Sequence, residues 1–133
     1  MSKKKTKHKD VLRSEETLRR YRLHKRRVRD NKKDPMAFIE EPALYYFIHW
    51  KIVENNFPYD LIAKRHHLLF PVRRVVSEEE LNEEELEELK VIKKAIANTT
   101  TYDVFFENTP HRRTIPGHMH YHLMAYHYVS KFK

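Results

Sequence analysis

Cysteine is absent from this chain, which excludes disulfides and thiolate metal sites and fits a reducing compartment. Glycine occurs once, at Gly117, so turns must be built mainly from Pro, Asn and Asp. Long apolar runs are also missing. No stretch approaches the length that crosses a bilayer, so no membrane contact of that kind is expected. The start, Met1-Ser2-Lys3-Lys4-Lys5, has no apolar run behind it and does not read as a secretory signal. The expected location is cytoplasmic, or nuclear in a eukaryote. What is present in 133 residues, with 40 % apolar and 35 % charged side chains, suits one compact domain plus a solvated arm.

The net charge of +8 is unevenly spread. Residues 1–34 hold 15 Lys and Arg against 5 Asp and Glu, while the remainder holds 12 against 14. The basic character therefore belongs to an arm, residues 1–35, attached to a nearly neutral domain, residues 36–133. Such asymmetry points to a polyanion-binding tail, with nucleic acid as the candidate partner of residues 1–34. The competing readings are a solubilising tail or a localisation signal. No base-reading motif is present, so binding would be salt-sensitive and sequence-blind.

Along the chain, residues 1–10 read as disordered. Ser14 is placed to cap a helix, with Glu15 and Glu16 complementing its first-turn dipole. Leu18, Tyr21 and Val28 give that helix a narrow apolar stripe and predict loose docking. Residues 30–35 read as a linker. Residues 43–54 are rich in aromatic and β-branched types and predict one strand. Residues 55–60 predict a turn, and 61–63 and 67–70 predict short strands, with Pro71 ending the second. Ser77 and Asn82 each have a glutamate three positions on, as in a capping box. Leu86, Leu89, Ile92 and Ile96 then recur at helical spacing, predicting a helix over 83–97. Residues 102–107 predict a strand, 108–116 a loop and 117–129 a last strand. The sum is an α+β fold: an antiparallel sheet with one main helix, preceded by the basic arm.

That last strand carries His118-Met119-His120-Tyr121-His122-Leu123-Met124. Side chains alternate faces along a strand, so the three imidazoles share one face and Met119, Tyr121 and Leu123 the other. Imidazoles aligned in this way suit a nucleophile, acid–base groups or metal ligands.

The pattern His-φ-His-φ-His-φ-φ, with φ apolar, resembles the defining motif of the histidine triad (HIT) superfamily of nucleotide hydrolases and transferases. An upstream run, His66-His67-Leu68-Leu69-Phe70-Pro71, resembles the family's His-φ-φ-φ-φ-Pro strand and places His66 as a fourth histidine. Asn55-Asn56-Phe57-Pro58-Tyr59 resembles an element near the ribose site, pointing to Asn55, with Asn56 second. Asn108 stands ten residues before His118, close to the family's offset for an amide residue. The loop before the triad lacks the usual Gly-Gln pair, and Thr114 best matches the hydroxyl that touches phosphate.

The resemblance implies an HIT-like fold and a hydrolase of nucleotides that releases a nucleoside monophosphate, with AMP the expected product. It assigns His120 as the nucleophile that forms a nucleotidyl-histidine. His122 would contact the phosphate and help protonate the leaving group, and His118 and His66 would orient the site. Asn55, Asn108 and Thr114 would bind the nucleotide. The transferase branch carries Gln at the third histidine, so His122 favours hydrolysis. The scheme needs no cofactor and no metal. The resemblance also implies a homodimer, for which the aromatic segment 43–50 is a suitable interface. The alternative is a non-catalytic module that binds nucleotide or RNA, its basic arm contacting nucleic acid.

Overall fold

The computed structural model describes residues 11–30, 42–109 and 117–127. The expectations for residues 1–10 and 31–35, for Thr114, and for the end of the last strand at 128–129 lie outside the described residues.

The described elements are helix α1 (Glu15–Asp30), strands β1 (Tyr45–Tyr46), β2 (Trp50–Glu54) and β3 (Ala63–Pro71), helix α2 (Glu83–Ala97), and strands β4 (Val104–Phe106) and β5 (Tyr121–Tyr126). The strands form one antiparallel sheet in the order β1-β2-β3-β5-β4. This is the expected α+β arrangement, in which one helix, α2, packs on the sheet.

Helix α2 forms where the pattern places it. Asn82 accepts from the Glu85 amide at 2.8 Å, and the Glu85 carboxylate returns the contact to the Asn82 amide at 2.9 Å. The Glu80 carboxylate accepts from the Val76 amide at 2.7 Å and the Ser77 amide at 3.1 Å across a single 3-10 turn, Glu78–Glu80. The buried stripe of α2, Leu89 and Ile92, meets Trp50, Ile52, Leu69, Tyr121 and Leu123 on one sheet face. Full burial of each such side chain contributes about 1.5–3 kcal/mol, which makes this layer the main source of stability. The Trp50 indole also donates to the Glu85 carbonyl at 2.9 Å, a buried bond that fixes the end of α2 over β2.

Three expected elements differ. The strand predicted over 43–54 breaks at 47–49, and Phe47 N–H bonds to the Trp50 carbonyl at 2.8 Å to make a hairpin. The Glu88 carboxylate accepts the two amides of the turn, Ile48 at 3.1 Å and His49 at 2.6 Å, so the turn is satisfied by α2 and not by a strand partner. Leu61 and Ile62 lie in a turn rather than a strand, because Ile62 and Ala63 both donate to the Tyr59 carbonyl. The last strand begins at Tyr121, not at 117. His118 and Met119 are held instead by the segment after β3: Met119 N–H donates to the Val75 carbonyl at 2.8 Å, and Val75 N–H donates to the His118 ring at 3.1 Å.

Helix α1 is docked more firmly than its apolar stripe predicts. Ser14 caps it, its hydroxyl accepting from the Thr17 amide. Asp60 accepts from the Ser14 amide and hydroxyl, each at 2.7 Å, and from the Thr17 hydroxyl at 2.6 Å. Burial alone would raise the Asp60 carboxyl, but these hydrogen bonds from Thr17 and Ser14 hold it below the usual carboxylate range. Tyr21 packs on Phe57 with ring centres 5.1 Å apart. The anchor is thus polar and aromatic, a kind of contact that a search for apolar periodicity does not register.

Candidate active site

The two sheet faces differ in chemistry. Register pairs Leu68 with His122, and His66 with Met124, on the face away from α2. His67, one residue on, faces the α2 side, where its ring contacts the Tyr102 hydroxyl at 2.6 Å and Glu54 at 3.3 Å. Alternation therefore separates the adjacent pair His66 and His67, and only His66 joins the triad.

The four expected histidines are all buried. Their hydrogen bonds fix their tautomers, reasoning outward from backbone groups whose roles are certain. Tyr59 N–H donates to His66 Nδ1 at 3.0 Å, so the neutral His66 carries its proton on Nε2. His66 Nε2 lies 2.7 Å from His122 Nδ1 and donates to it. His122 then carries its own proton on Nε2, which lies 3.2 Å from the Asn108 amide. That contact is made by the Asn108 amide nitrogen, which also donates to the Tyr59 hydroxyl at 3.0 Å, so a donating His122 Nε2–H requires the Asn108 amide to be turned with its oxygen toward the ring. The result is a directional chain, Tyr59 amide to His66 to His122 to Asn108.

The other two histidines are oriented separately. His118 accepts from Val75 N–H at Nδ1 and donates from Nε2 to the Pro71 carbonyl at 3.0 Å. Both ring nitrogens are thus committed to backbone. His120 Nδ1 lies 3.1 Å from the His118 carbonyl, to which it donates. That places the ring's lone pair on Nε2. The rings of His120 and His122 meet edge to face with centres 5.2 Å apart.

Aromatic walls complete the site. His122 lies between Phe106, at 4.8 Å and 9° from parallel, and Tyr59, at 5.4 Å and 16°. Burial in this sandwich, with the repulsion that protonated His120 and His66 rings would add, pushes His122 down to about 2. Burial and the nearby Arg13 charge push His66 down to about 3. His118 is also lowered, chiefly by burial, against the opposing effect of its bond to Pro71. His66, His118 and His122 are therefore neutral at pH 7.

Among the expected nucleotide-binding residues, Asn108 joins the histidine chain directly. Asn55 sits against His66: its amide nitrogen is 3.3 Å from Nδ1 and 3.4 Å from Nε2, so it lies over the ring face. Its oxygen accepts from the Phe57 amide at 2.9 Å and shapes the turn. Tyr59, Phe106 and Arg13 were not picked out by sequence reasoning. The Arg13 guanidinium lies over the Tyr21 ring at 4.4 Å and the Tyr59 ring at 4.7 Å, and its Nε donates to the Phe57 carbonyl at 2.8 Å. Among the described residues, no three His, Asp or Glu side chains are grouped to hold a metal ion.

No family model and no curated protein matches this chain. Solved structures do. A HIT family hydrolase from Clostridium thermocellum aligns with a TM-score of 0.50 at 19 % identity, covering 80 % of this chain and 90 % of that one. A histidine triad protein from Clostridium difficile gives 0.48 at 17 % identity, covering 80 % and 92 % of the two chains. A HIT family hydrolase from Legionella pneumophila gives 0.48 at 22 % identity, covering 68 % and 87 %. At these identities the likeness concerns the fold, and the first of the three carries it. With its five-stranded antiparallel sheet and its histidine-bearing β3 and β5 on adjacent strands, this chain has the fold of the histidine triad proteins.

Proposed function

We propose that this chain is a nucleotide hydrolase that works through a nucleotidyl-histidine on His120. The observation that carries the proposal is the hydrogen bond between His120 Nδ1 and the His118 carbonyl, which puts the nucleophilic lone pair on Nε2. In the first step Nε2 forms a bond to the α-phosphorus of a nucleotide. The bond from phosphorus to the leaving group breaks, and the leaving group takes the electron pair and a proton. In the second step water attacks phosphorus, the N–P bond breaks, and its electron pair returns to Nε2. The product is a nucleoside monophosphate, with AMP the expected one, and one water proton replaces the proton that the leaving group took.

His122 supports this chemistry as a neutral donor. His66 supplies its Nδ1 partner, so its Nε2–H is available to a phosphate oxygen once a nucleotide displaces the Asn108 contact. Protonation of the leaving group by His122 requires a rise in its proton affinity, which a bound phosphate's negative charge provides. Asn108 then turns its amide to the phosphate, and Thr114 adds its hydroxyl. The leaving group belongs to a phosphoramidate, a polyphosphate or an adenylylated substrate.

A dimer belongs to the same proposal. Among the described residues β1 is an edge strand, and Leu44, Tyr45, Tyr46 and Ile48 are exposed along it.

The test is AMP release followed by mass spectrometry, with an adenosine phosphoramidate and a 5′-adenylylated oligonucleotide, wild type beside His120→Ala. Release that disappears in His120→Ala supports the hydrolase. Equal release by both proteins overturns it. Nucleotide binding without any release favours the non-catalytic module.

A further inference from the structure

Helix α1 carries seven Arg and Lys against three acidic residues. Its buried residues, Thr17 and Tyr21, lie on one side. Arg19, Arg22, Arg26 and Arg29 recur at spacings of three, four and three, so they form one exposed stripe on the opposite side. At 1.5 Å per residue that stripe is about 15 Å long. Arg19 and Arg29 pair only with exposed Glu16 and Asp30, contacts of little net worth. Among the described residues, Arg22 and Arg26 make no ion pair. Like charges at these spacings each oppose helix formation by a few tenths of a kcal/mol. A helix that only filled space would not gain from such a stripe, whereas a polyanion would relieve its repulsion.

The position of α1 gives the stripe a direction. Its anchor is the wall of the histidine site: Arg13, just before the helix, stacks on Tyr59, and Tyr59 in turn contacts His66, His122 and Asn108. Beside the helix, Phe57 is half-buried and sits 4.9 Å from the exposed His24 ring, with the Arg20 guanidinium 5.9 Å from its centre. Flat rings flanked by cations are the surface on which unpaired bases stack.

We propose that α1 is the track for a single-stranded nucleic acid, whose phosphodiester backbone follows Arg19, Arg22, Arg26 and Arg29 while its end reaches the histidine site past Arg13 and Tyr59. The course of the strand's end rests on the hydrolase reading above. Binding to the helix does not. The occupant is a single strand because the Phe57 and His24 rings, flanked by arginine, suit the stacking of unpaired bases. The anchoring contacts at Asp60 keep the track fixed relative to the site.

The experiment uses the full chain and a fluorescent single-stranded oligonucleotide of about 12 nucleotides, a length within the usual range of such sites. Anisotropy is read across a salt series for wild type, Arg22→Glu/Arg26→Glu and His120→Ala. AMP release from an adenosine phosphoramidate is measured in parallel. The double variant is expected to bind the oligonucleotide about tenfold more weakly or worse. Loss of two phosphate contacts should lower the salt slope by about 1.4. Its circular dichroism and small-substrate turnover should match wild type, and His120→Ala should bind as wild type does. Unchanged oligonucleotide binding by the double variant overturns the track. So does a wild type that ignores the oligonucleotide and binds phosphatidylserine vesicles through the same arginines. Absence of AMP release from every substrate, with arginine-dependent binding intact, sinks the hydrolase reading and leaves the track standing.

Discussion

His66 Nε2 lies 2.7 Å from His122 Nδ1, and the proton between them belongs to His66. This assignment follows from the Tyr59 amide, which can only donate and therefore claims the other nitrogen of His66. A single backbone N–H thus sets the tautomers of two side chains in sequence. It leaves His122 with a proton on the nitrogen that faces Asn108. The arrangement separates two tasks: His120 offers a lone pair, and His122 offers a donor.

Removing the donor should damage turnover more than binding. His66→Ala leaves the His122 Nδ1 without its partner, so the ring is free to take the other tautomer. We expect kcat to fall at least about tenfold, which is 1.4 kcal/mol in the barrier, with KM for a small nucleotide changing less. His66→Gln keeps an N–H donor and should retain more activity than His66→Ala. Steady-state kinetics of the two variants decide the matter, and wild-type kcat in His66→Ala would refute the relay.

The same burial makes stability depend on pH. His66 is held down at about 3, His122 at about 2, and His118 is lowered too, whereas an unfolded histidine titrates near 6.5. As pH falls below 6.5, the unfolded chain takes up protons that the folded chain refuses, so stability must fall. Each histidine contributes up to about 1.4 kcal/mol per pH unit in that window. Asp60 and Glu85 are both lowered, so their contribution is present above the ordinary carboxylate range and is lost only at lower pH. Between pH 6.5 and 5 the loss therefore reports the histidines. Urea titrations at pH 7 and pH 5 should show a lower midpoint at pH 5. Equal midpoints would mean that these rings accept protons without unfolding.

Much of the site was legible because its signals are local. The placement of His66 and His122 on adjacent strands needs only strand geometry to be read, whereas His118 and His120 precede β5 and are positioned by bonds to Val75, Pro71 and their own backbone. Both ends of α2 follow from Asn82, Glu85 and the apolar spacing after them. What escaped depends on partners far along the chain. The break at 47–49 exists because Glu88, about forty residues on, accepts the two turn amides. The docking of α1 exists because Asp60, 43 to 46 residues away, collects bonds from Ser14 and Thr17. Tyr59 and Phe106 enter the site by stacking on His122, and no motif marks an aromatic ring as a wall.

Asp60 should therefore control the order of α1. Hydrogen bonds to a charged group contribute about 1.5–3 kcal/mol each in favourable cases, and this carboxylate accepts three. Asp60→Ala removes all of them and leaves the Ser14 and Thr17 hydroxyls without that acceptor. Hydrogen exchange should show α1 amides losing protection while β3 and β5 amides keep theirs. If protection across α1 is unchanged, the apolar and aromatic contacts of Tyr21 suffice to hold the helix.

Edge strand β1 offers the last test. Among the described residues, β2 is the one strand that pairs with β1, which leaves the other backbone edge of β1 for a partner strand. Tyr46 is 70 % exposed and Ile48 82 %, beside Leu44 and Tyr45. Solvated edges of monomers are normally blunted by charge, proline or a bulge, and residues 44–48 carry none of these charges or prolines. Contact between two copies would cover both the apolar side chains and the backbone edge. The proposed homodimer predicts a mass near twice the 16.4 kDa chain by light scattering, and Tyr46→Lys/Ile48→Lys should shift it toward one chain. Because these residues sit outside the histidine cluster, the double variant should keep its secondary structure by circular dichroism. A wild type that stays at one chain mass at all concentrations would remove β1 as the dimer surface. A dimer untouched by the two lysines would place the interface elsewhere.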